Sequence, residues 1–463
     1  MINDSPIARW SVLIIVAFTM MMGYFITDVM SPLEQLLEQP IDKGGLGWSS
    51  ADYGFFSGSS GFINVFLLML FFSGLILDKM GVRFTGVLSC SLMIIGVLIK
   101  LYAITAPLAH QTFHLHILSF IDIRLPLSAA LASLGFAVFG VGYEMCGITV
   151  SKVMVRWFTG YELASAMGIQ LAMARLGTAS ALSFSAPIAT RYTLSTPLLA
   201  GLVLLCIGLV CYLIYCVMDR KLEAGISQTK AQETDKSSSP DASFRLSDIG
   251  AILRNPGFWI VTFMCMVFYS AISPFLKFAT KLMIEKYSVA PDVAGFITSI
   301  APYGTIILTP LFGRIYDKYG HGVTLIIIGT TMLAFVYFGF SLPIHSSIFA
   351  IFLMVILGIA YSLVPSALWP GVPKMIPLKC LGTAYSMIFF IQNFGRSVIP
   401  VCVGKANETD STYTTSMLIF FGLACTSILI AILLLWVDKR KKYGLQKANI
   451  TKNQYRHDVP SSH

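Results

Sequence analysis

Twelve apolar runs, most of them about as long as a bilayer is thick, fix what this chain can fold into. They span 9–30, 52–77, 84–106, 126–155, 162–189 and 195–218, then 256–283, 293–312, 322–343, 347–376, 381–404 and 412–437. A membrane-crossing helix needs about 20 consecutive apolar residues. Lipid offers no partner to a backbone N–H or C=O, so such runs become helices that satisfy their own hydrogen bonds. Charged residues make up 12% of the chain, about half of the roughly 25% that covers a soluble protein. The expectation is an all-α membrane protein with twelve transmembrane helices in two pseudo-symmetric six-helix bundles. The bundles are 1–218 and 256–437, joined by a cytoplasmic linker at 219–255 and followed by a basic tail at 438–463. The linker is rich in Ser and Lys, which predicts a flexible segment. A short amphipathic helix at Leu246–Leu253 would close it.

The formal net charge of +9 would suit a nucleic-acid binder only if the cations lined one face. Instead they gather in alternate loops, in the linker and in the tail. Counted by side, 22 Lys and Arg stand against seven: Lys43, Lys100, Arg124, Arg191, Lys281, Lys286 and Lys405. Cytoplasmic loops carry the excess of such residues, so both termini are expected in the cytoplasm; the absent sorting signal and compact termini make a bacterial inner membrane the expected setting. The run at 9–30 predicts a retained helix rather than a removed signal. The nine cysteines lie almost all within apolar runs, without paired spacing, and suit small packing positions.

After the second run stands Gly74-Leu-Ile-Leu-Asp78-Lys79-Met80-Gly81-Val82-Arg83. After the eighth stands Gly313-Arg314-Ile315-Tyr316-Asp317-Lys318-Tyr319-Gly320, aligned without a gap. Repetition of a half-chain marks a transporter with its site at the repeat interface. Physically the loop suits a latch. Glycine lets helices approach, aspartate can cap a helix N-terminus, and Lys or Arg can pair across the bundles and part during alternating access. The motif resembles the signature loop of the major facilitator superfamily. That resemblance covers roughly residues 9–437 and implies the same two-bundle fold.

Three cations are left inside helices: Arg175, Lys277 and Arg396. Intramembrane ionisable residues are costly and point to function. Glu144 and Arg175 lie on consecutive helices, about equally far from the turn near Thr159-Gly160. At 1.5 Å per residue both sit roughly 20 Å from that end, so they are expected to meet. Such a pair can open to hold a zwitterion, Arg for the carboxylate and Glu for the amine. Glu144 is also the first choice for a proton carrier. Lys277 follows Pro274, and Arg396 lies between Asn393 and Pro400, where a structural role is the simpler reading. If all three cations face the cavity, an anionic substrate is favoured, with Asp28 near the outer end of helix one to offset them. Tyr24, Tyr143, Tyr269, Tyr303, Tyr361 and Trp369 surround these levels. Trp369 stands out because Pro370 disturbs the helix beside it.

A narrower resemblance rests on Arg156-Trp157-Phe158, on the stretch from Glu162 to Gly177, and on Tyr361-Ser-Leu-Val-Pro-Ser-Ala-Leu-Trp369-Pro370. Leu381-Gly-Thr-Ala-Tyr385 and Ile391-Gln392-Asn393 add to it. Together they resemble the branch of the lysosomal dipeptide uniporter and its prokaryotic relatives. In that branch a Glu on helix four, an Arg on helix five and a Trp on helix ten line the dipeptide site. The matching positions are Glu144, Arg175 and Trp369. The chain departs from the branch in lacking an acidic dileucine near its start and in adding Lys277 and Arg396.

Other signals carry little. Gly140, Gly142 and Gly147 suit helix packing rather than a dinucleotide loop. No phosphate-cradling Gly-rich loop ending in Lys-Ser or Lys-Thr occurs, so ATP-driven pumping has no support in the sequence. His110, His114 and His116 suit a solvated loop, and Asn407-Glu408-Thr409 is a glycosylation sequon only in a eukaryote. No nucleophile–base pattern, cofactor motif or metal site emerges, so an enzyme is not expected. The expected activity is secondary active or facilitative transport of small zwitterionic metabolites, dipeptides first, by rocker-switch alternating access. The expected partners are a small-molecule substrate, protons and the lipid bilayer, with no nucleic acid and a monomeric state. The alternatives are an organic-anion carrier of the same fold, and a non-transporting sensor or scaffold.

Overall fold

The computed structural model describes residues 4–106, 108, 111–117, 121–158, 162–232, 250, 252–376 and 381–448. In its first half are α1 (Pro6–Asp28), α2 (Glu34–Glu38), α3 (Ser50–Ser59), α4 (Phe62–Phe66), α5 (Met69–Thr105), α6 (Leu127–Phe158), α7 (Leu163–Arg191) and α8 (Thr196–Gln232). In its second half are α9 (Pro256–Glu285), α10 (Pro291–Tyr319), α11 (Gly322–Ser341), α12 (Ser347–Gly371), α13 (Leu381–Thr409) and α14 (Thr414–Lys441). Between α5 and α6, antiparallel strands β1 (Thr112–Ile117) and β2 (Ile121–Pro126) form a hairpin where a loop was expected. This hairpin end lies opposite the terminus end, where α1 begins and α14 finishes.

Local chemistry sets several helix starts. Proline opens α1, α9 and α10 at the first turn, where its missing N–H would have had no helical partner. Asn255 caps α9, its side chain accepting from Gly257 N at 2.9 Å. Ser49 and Asp52 form a reciprocal capping box at α3.

Ten helices among the described residues are long and apolar enough to cross a membrane. The second and fifth expected spans complete the twelve in altered form. The second is divided among α3, α4 and the first turns of α5, with Leu68, at a left-handed φ of 54°, breaking α4 from α5. The fifth, α7, is continuous but diluted by Ala, Ser, Gly, Thr and Arg175. The fold is therefore the expected pair of six-helix bundles.

Three local expectations change. First, α8 runs on to Gln232, through the boundary expected at 218, while the rest of the linker to residue 249 lies outside the described residues. Second, the start of the basic tail packs back on the second bundle. Leu445 is 4% exposed, and its carbonyl accepts from Tyr316 OH at 3.2 Å. Residues 449–463 lie outside the described residues. Third, Lys100 and Lys281 are not loop residues; they sit at least one turn inside α5 and α9, at 0% and 5% exposure. The expected histidine cluster is only partly described: His114 is on β1, the His116 side chain and His110 lie outside the described residues.

The two bundles meet over the hairpin-end half of the membrane. On α3, Gly54 faces Pro400 and Gly404 of α13, where an added β-carbon would lie 2.5 Å from the Pro400 carbonyl oxygen. Small residues permit this backbone approach. Gly295 of α10 likewise abuts the Leu182 carbonyl of α7, and the Ser183 and Ser299 hydroxyls bond at 2.9 Å. Toward the terminus end the picture reverses. A β-carbon at Gly74, Gly147, Gly168 or Gly313 would meet nothing within 4 Å among the described residues. Among the described residues, the close approaches between bundles gather at the hairpin end, and the terminus end is the more open.

Candidate functional site

The intramembrane charges Glu144, Arg175, Lys277, Arg396 and Asp28 lie where the two bundles face each other. Depth along the helices orders them into layers. Nearest the terminus end is an aromatic group. Trp369 of α12 packs on Phe389 and Tyr385 of α13, with ring centroids 5.2 and 5.8 Å apart. Its indole N–H donates to Tyr269 OH of α9 at 3.0 Å. This cluster belongs wholly to the second bundle.

The middle layer holds Glu144, Arg396, Arg175 and Tyr361. Glu144 of α6 pairs with Arg396 of α13, Oε1 to Nη1 at 3.5 Å. Their side chains are 17% and 24% exposed, so water reaches this pair. Arg175 of α7 instead donates to the phenol oxygen of Tyr361 on α12. Its guanidinium carbon sits 4.7 Å from the centre of the same ring, a cation–π contact. The expected Glu144–Arg175 pair is therefore corrected. Counting residues from a turn gives the depth of a side chain, but not the direction in which it leaves its helix. Arg396, expected to be structural, is the acid's actual partner.

The Arg175 environment has a consequence. Among the described residues its hydrogen-bond partner is a neutral phenol, and no ion pair joins it to a carboxylate. An uncompensated guanidinium in a membrane site is a ready carboxylate receptor, since Arg and carboxylate bond in bidentate fashion. Nearby, Tyr143 packs edge-on against Tyr24 with centroids 5.1 Å apart, and stacks on Phe139. These rings stiffen α6 against α1 beside Glu144.

The next layer toward the hairpin end is closed. Lys277 Nζ of α9 pairs with Asp28 Oδ1 of α1 at 2.6 Å and also bonds the Thr27 carbonyl. Thr178 of α7 donates to the other Asp28 oxygen at 2.8 Å. Tyr53 OH of α3 donates to the Lys277 carbonyl at 3.2 Å. Lys277 is thus engaged rather than reaching for the membrane surface. Lys100, unsuspected from sequence, ends 4.4 Å from the Phe136 ring centre and 3.5 Å from the Ile26 carbonyl oxygen. Its signal was visible as a lone lysine inside the third apolar run. All three charge contacts, Glu144–Arg396, Arg175–Tyr361 and Asp28–Lys277, cross from one bundle to the other.

The paired loops lie at the open end. Gly74, Gly81 and Gly313 have no neighbour within 4 Å of a β-carbon position among the described residues. Lys318 Nζ lies 5.2 Å from the ring centre of its neighbour Tyr319. Arg83 pairs with Asp219 and Glu223 of α8 in its own bundle, not across bundles as expected. The Asp78 side chain lies outside the described residues. No group of three or more metal-ligating side chains exists among the described residues.

A model of the Major Facilitator Superfamily matches residues 13–400 and again 282–452. The Lysosomal dipeptide transporter MFSD1 of Danio rerio is 28% identical over 338 residues, covering 70% of each chain. Its counterpart from Homo sapiens is 26% identical over 329 residues, covering 68% of this chain and 67% of that one. Among solved structures, a peptide transporter POT superposes with a TM-score of 0.68 at 12% identity, covering 96% of both chains. A D-xylose-proton symporter gives 0.67 at 13% identity, covering 92% of this chain and 97% of that one. These two structures are similar in fold.

Proposed function

Because the chain belongs to the Major Facilitator Superfamily and is an integral membrane transporter rather than an enzyme, we propose that its substrates are dipeptides and similar small zwitterions. The observation that carries this reading is the Arg175 guanidinium, held by a phenol instead of a carboxylate at mid-membrane. A dipeptide carboxylate would take Arg175. Its ammonium would take Glu144, whose 3.5 Å contact with Arg396 is long for a charged hydrogen bond and easily exchanged. Trp369 and Tyr385 would face the side chains from the terminus end. The relatives named as dipeptide transporters support the same substrate class.

The cycle follows from the layers. With both termini in the cytoplasm, the open end admits or releases substrate there. Rocking the bundles would part the Asp28–Lys277 layer and bring the paired loops together, exposing the middle layer to the other side. The paired loops would then meet across the bundles. An organic-anion substrate is the second reading. Arg175 and Arg396 outnumber Glu144 in the middle layer, so that layer carries one net positive charge.

Uptake of a labelled dipeptide into proteoliposomes tests both readings. Arg175→Ala removes a charged hydrogen bond worth about 1.5–3 kcal/mol, so apparent affinity falls about 10- to 100-fold. Unchanged uptake in Arg175→Ala ends this site assignment. Competition by dicarboxylates but not by dipeptides moves the assignment to the second reading.

A further inference from the structure

Beyond Asp28 the chain turns through Ser31–Leu33 into α2, at the outermost layer of the closed end. Here Glu34 is completely buried, at 0% exposure. Neither of its carboxylate oxygens has a hydrogen-bond partner among the described residues. The nearest cation, Lys281 Nζ of α9, is 3.8 Å from Oε1, beyond hydrogen-bond reach. That ammonium is already committed. It bonds Glu38 of α2, and Ser50 Oγ of α3 at 2.7 Å. Ser50 in turn donates to the other Glu38 oxygen at 2.7 Å.

The surroundings add negative charge. Glu285 of α9 accepts from Tyr413 OH at the start of α14. Glu38, Glu285 and Lys281 all act on Glu34, and the phenols of Tyr53 and Tyr413 face it from α3 and α14. One layer deeper, Asp28 and Lys277 neutralise each other. Among the described residues, three carboxylates therefore share one ammonium. An ionised carboxylate buried without a hydrogen bond costs several kcal/mol. A neutral carboxylic acid removes that cost and one of the negative charges.

We propose that Glu34 is a proton-binding site that reads the pH on the hairpin side: it holds a proton while that end is closed and gives it back to the same side when α2 and α9 part. Since the closed form binds the extra proton, acid on the hairpin side favours the closed form. The site lies outside the substrate layers and faces the sealed end. The proton therefore does not travel with substrate, and pH sets the conformational balance without proton flux. This assigns the titrating role to Glu34 rather than Glu144.

The test uses the full chain in lipid nanodiscs and in proteoliposomes. Infrared difference spectra between acid and alkaline pH, on protein carrying carbon-13 glutamate, should show a protonated carboxyl without hydrogen bonds. Glu34→Gln should lose that band and Glu38→Gln should keep it. This readout needs no substrate, so it stands even if the dipeptide reading fails. In proteoliposomes, the half-saturation of wild type for dipeptide added on the hairpin side should rise about tenfold as that side is acidified, because the competent fraction falls. Glu34→Gln should hold the acid value at every pH. A band that survives Glu34→Gln overturns the proposal, as does a substrate-linked proton current that Glu34→Gln abolishes. Should Glu34→Gln fail to fold, Glu34→Asp serves instead: its carboxyl band should shift position, and an unmoved band also overturns the proposal.

Discussion

The two copies of the repeated loop share a glycine at positive φ and differ in what holds them. In the first, Gly81 takes φ 77° and ψ 172° within α5. In the second, Gly320 takes φ 73° and ψ −135° at the end of α10. Both conformations belong to glycine, because a β-carbon would strike the flanking backbone there. The motif thus fixes the turn in each half. The anchor is chosen elsewhere. In the first half α8 continues as a helix and presents carboxylates, so Arg83 reaches Glu223 at 2.5 Å and Asp219 at 3.8 Å. In the second half the chain folds back after Lys441 and presents backbone, so His321 N donates to the Gln446 carbonyl at 2.9 Å. A repeated sequence therefore preserves a hinge, while the last helix of each half decides how firmly and by what chemistry the hinge is tied.

Removing the buried carboxylate should expose this difference most. Asp219 is 1% exposed and accepts from Arg156 Nε at 3.0 Å, Tyr215 OH at 3.2 Å and Trp157 Nε1 at 3.3 Å. Asp219→Asn leaves Arg156 and Arg83 facing a neutral amide and weakens three charged hydrogen bonds; with both arginines a third exposed, water screens the loss to about 3 kcal/mol. The matching residue of the second half, Asp438, accepts one backbone N–H, from Leu445 at 3.1 Å. Asp438→Asn should cost only about 1 kcal/mol, a typical hydrogen bond. Thermal unfolding of the purified protein in detergent compares them, and equal losses would break the distinction between the two anchors.

Gly320→Ala comes next. A β-carbon there would lie 2.5 Å from the Gln446 carbonyl oxygen and 2.7 Å from Ala448 N. The backbone strain alone is about 1–3 kcal/mol, and the clash adds to it by pushing the docked tail away. The expected result is a lower melting temperature together with faster proteolysis after Lys442. A lower melting temperature with an unchanged cleavage rate would mean that the tail does not hold this loop.

How much of this was legible in the sequence depends on the kind of information needed. The twelve spans were, because length and apolarity alone decide what crosses a bilayer. The residues of the charge layers were largely named as well, since a charge in an apolar run stands out. Their pairing was not. Glu144 and Arg175 share a depth, but Arg396 and Tyr361 come from the other bundle, and no local pattern reports which helices face each other. Lys100 and Lys281 were misplaced because a count by side treats a lysine near the end of a run as a loop residue. Glu34 carried no signal, since its burial arises only when α2 meets α9.

The smallest effect bears most directly on gating. Gly81→Ala strains the same kind of backbone as Gly320→Ala, but its β-carbon would meet nothing within 4 Å. The expected stability loss is the conformational cost alone, toward the lower end of about 1–3 kcal/mol. Asparagine should not relieve it. Asn tolerates the left-handed helical region near ψ of about 47°, whereas Gly81 sits at ψ 172°. Gly81→Asn and Gly81→Ala should therefore lose similar stability. Transport separates a hinge from a spacer. If the loop closes against the opposite bundle when the terminus end shuts, a β-carbon harmless in the open form would crowd the closed one. Dipeptide exchange should then slow more than the stability loss implies. Wild-type exchange rates in both variants would confine the role of Gly81 to turning the chain.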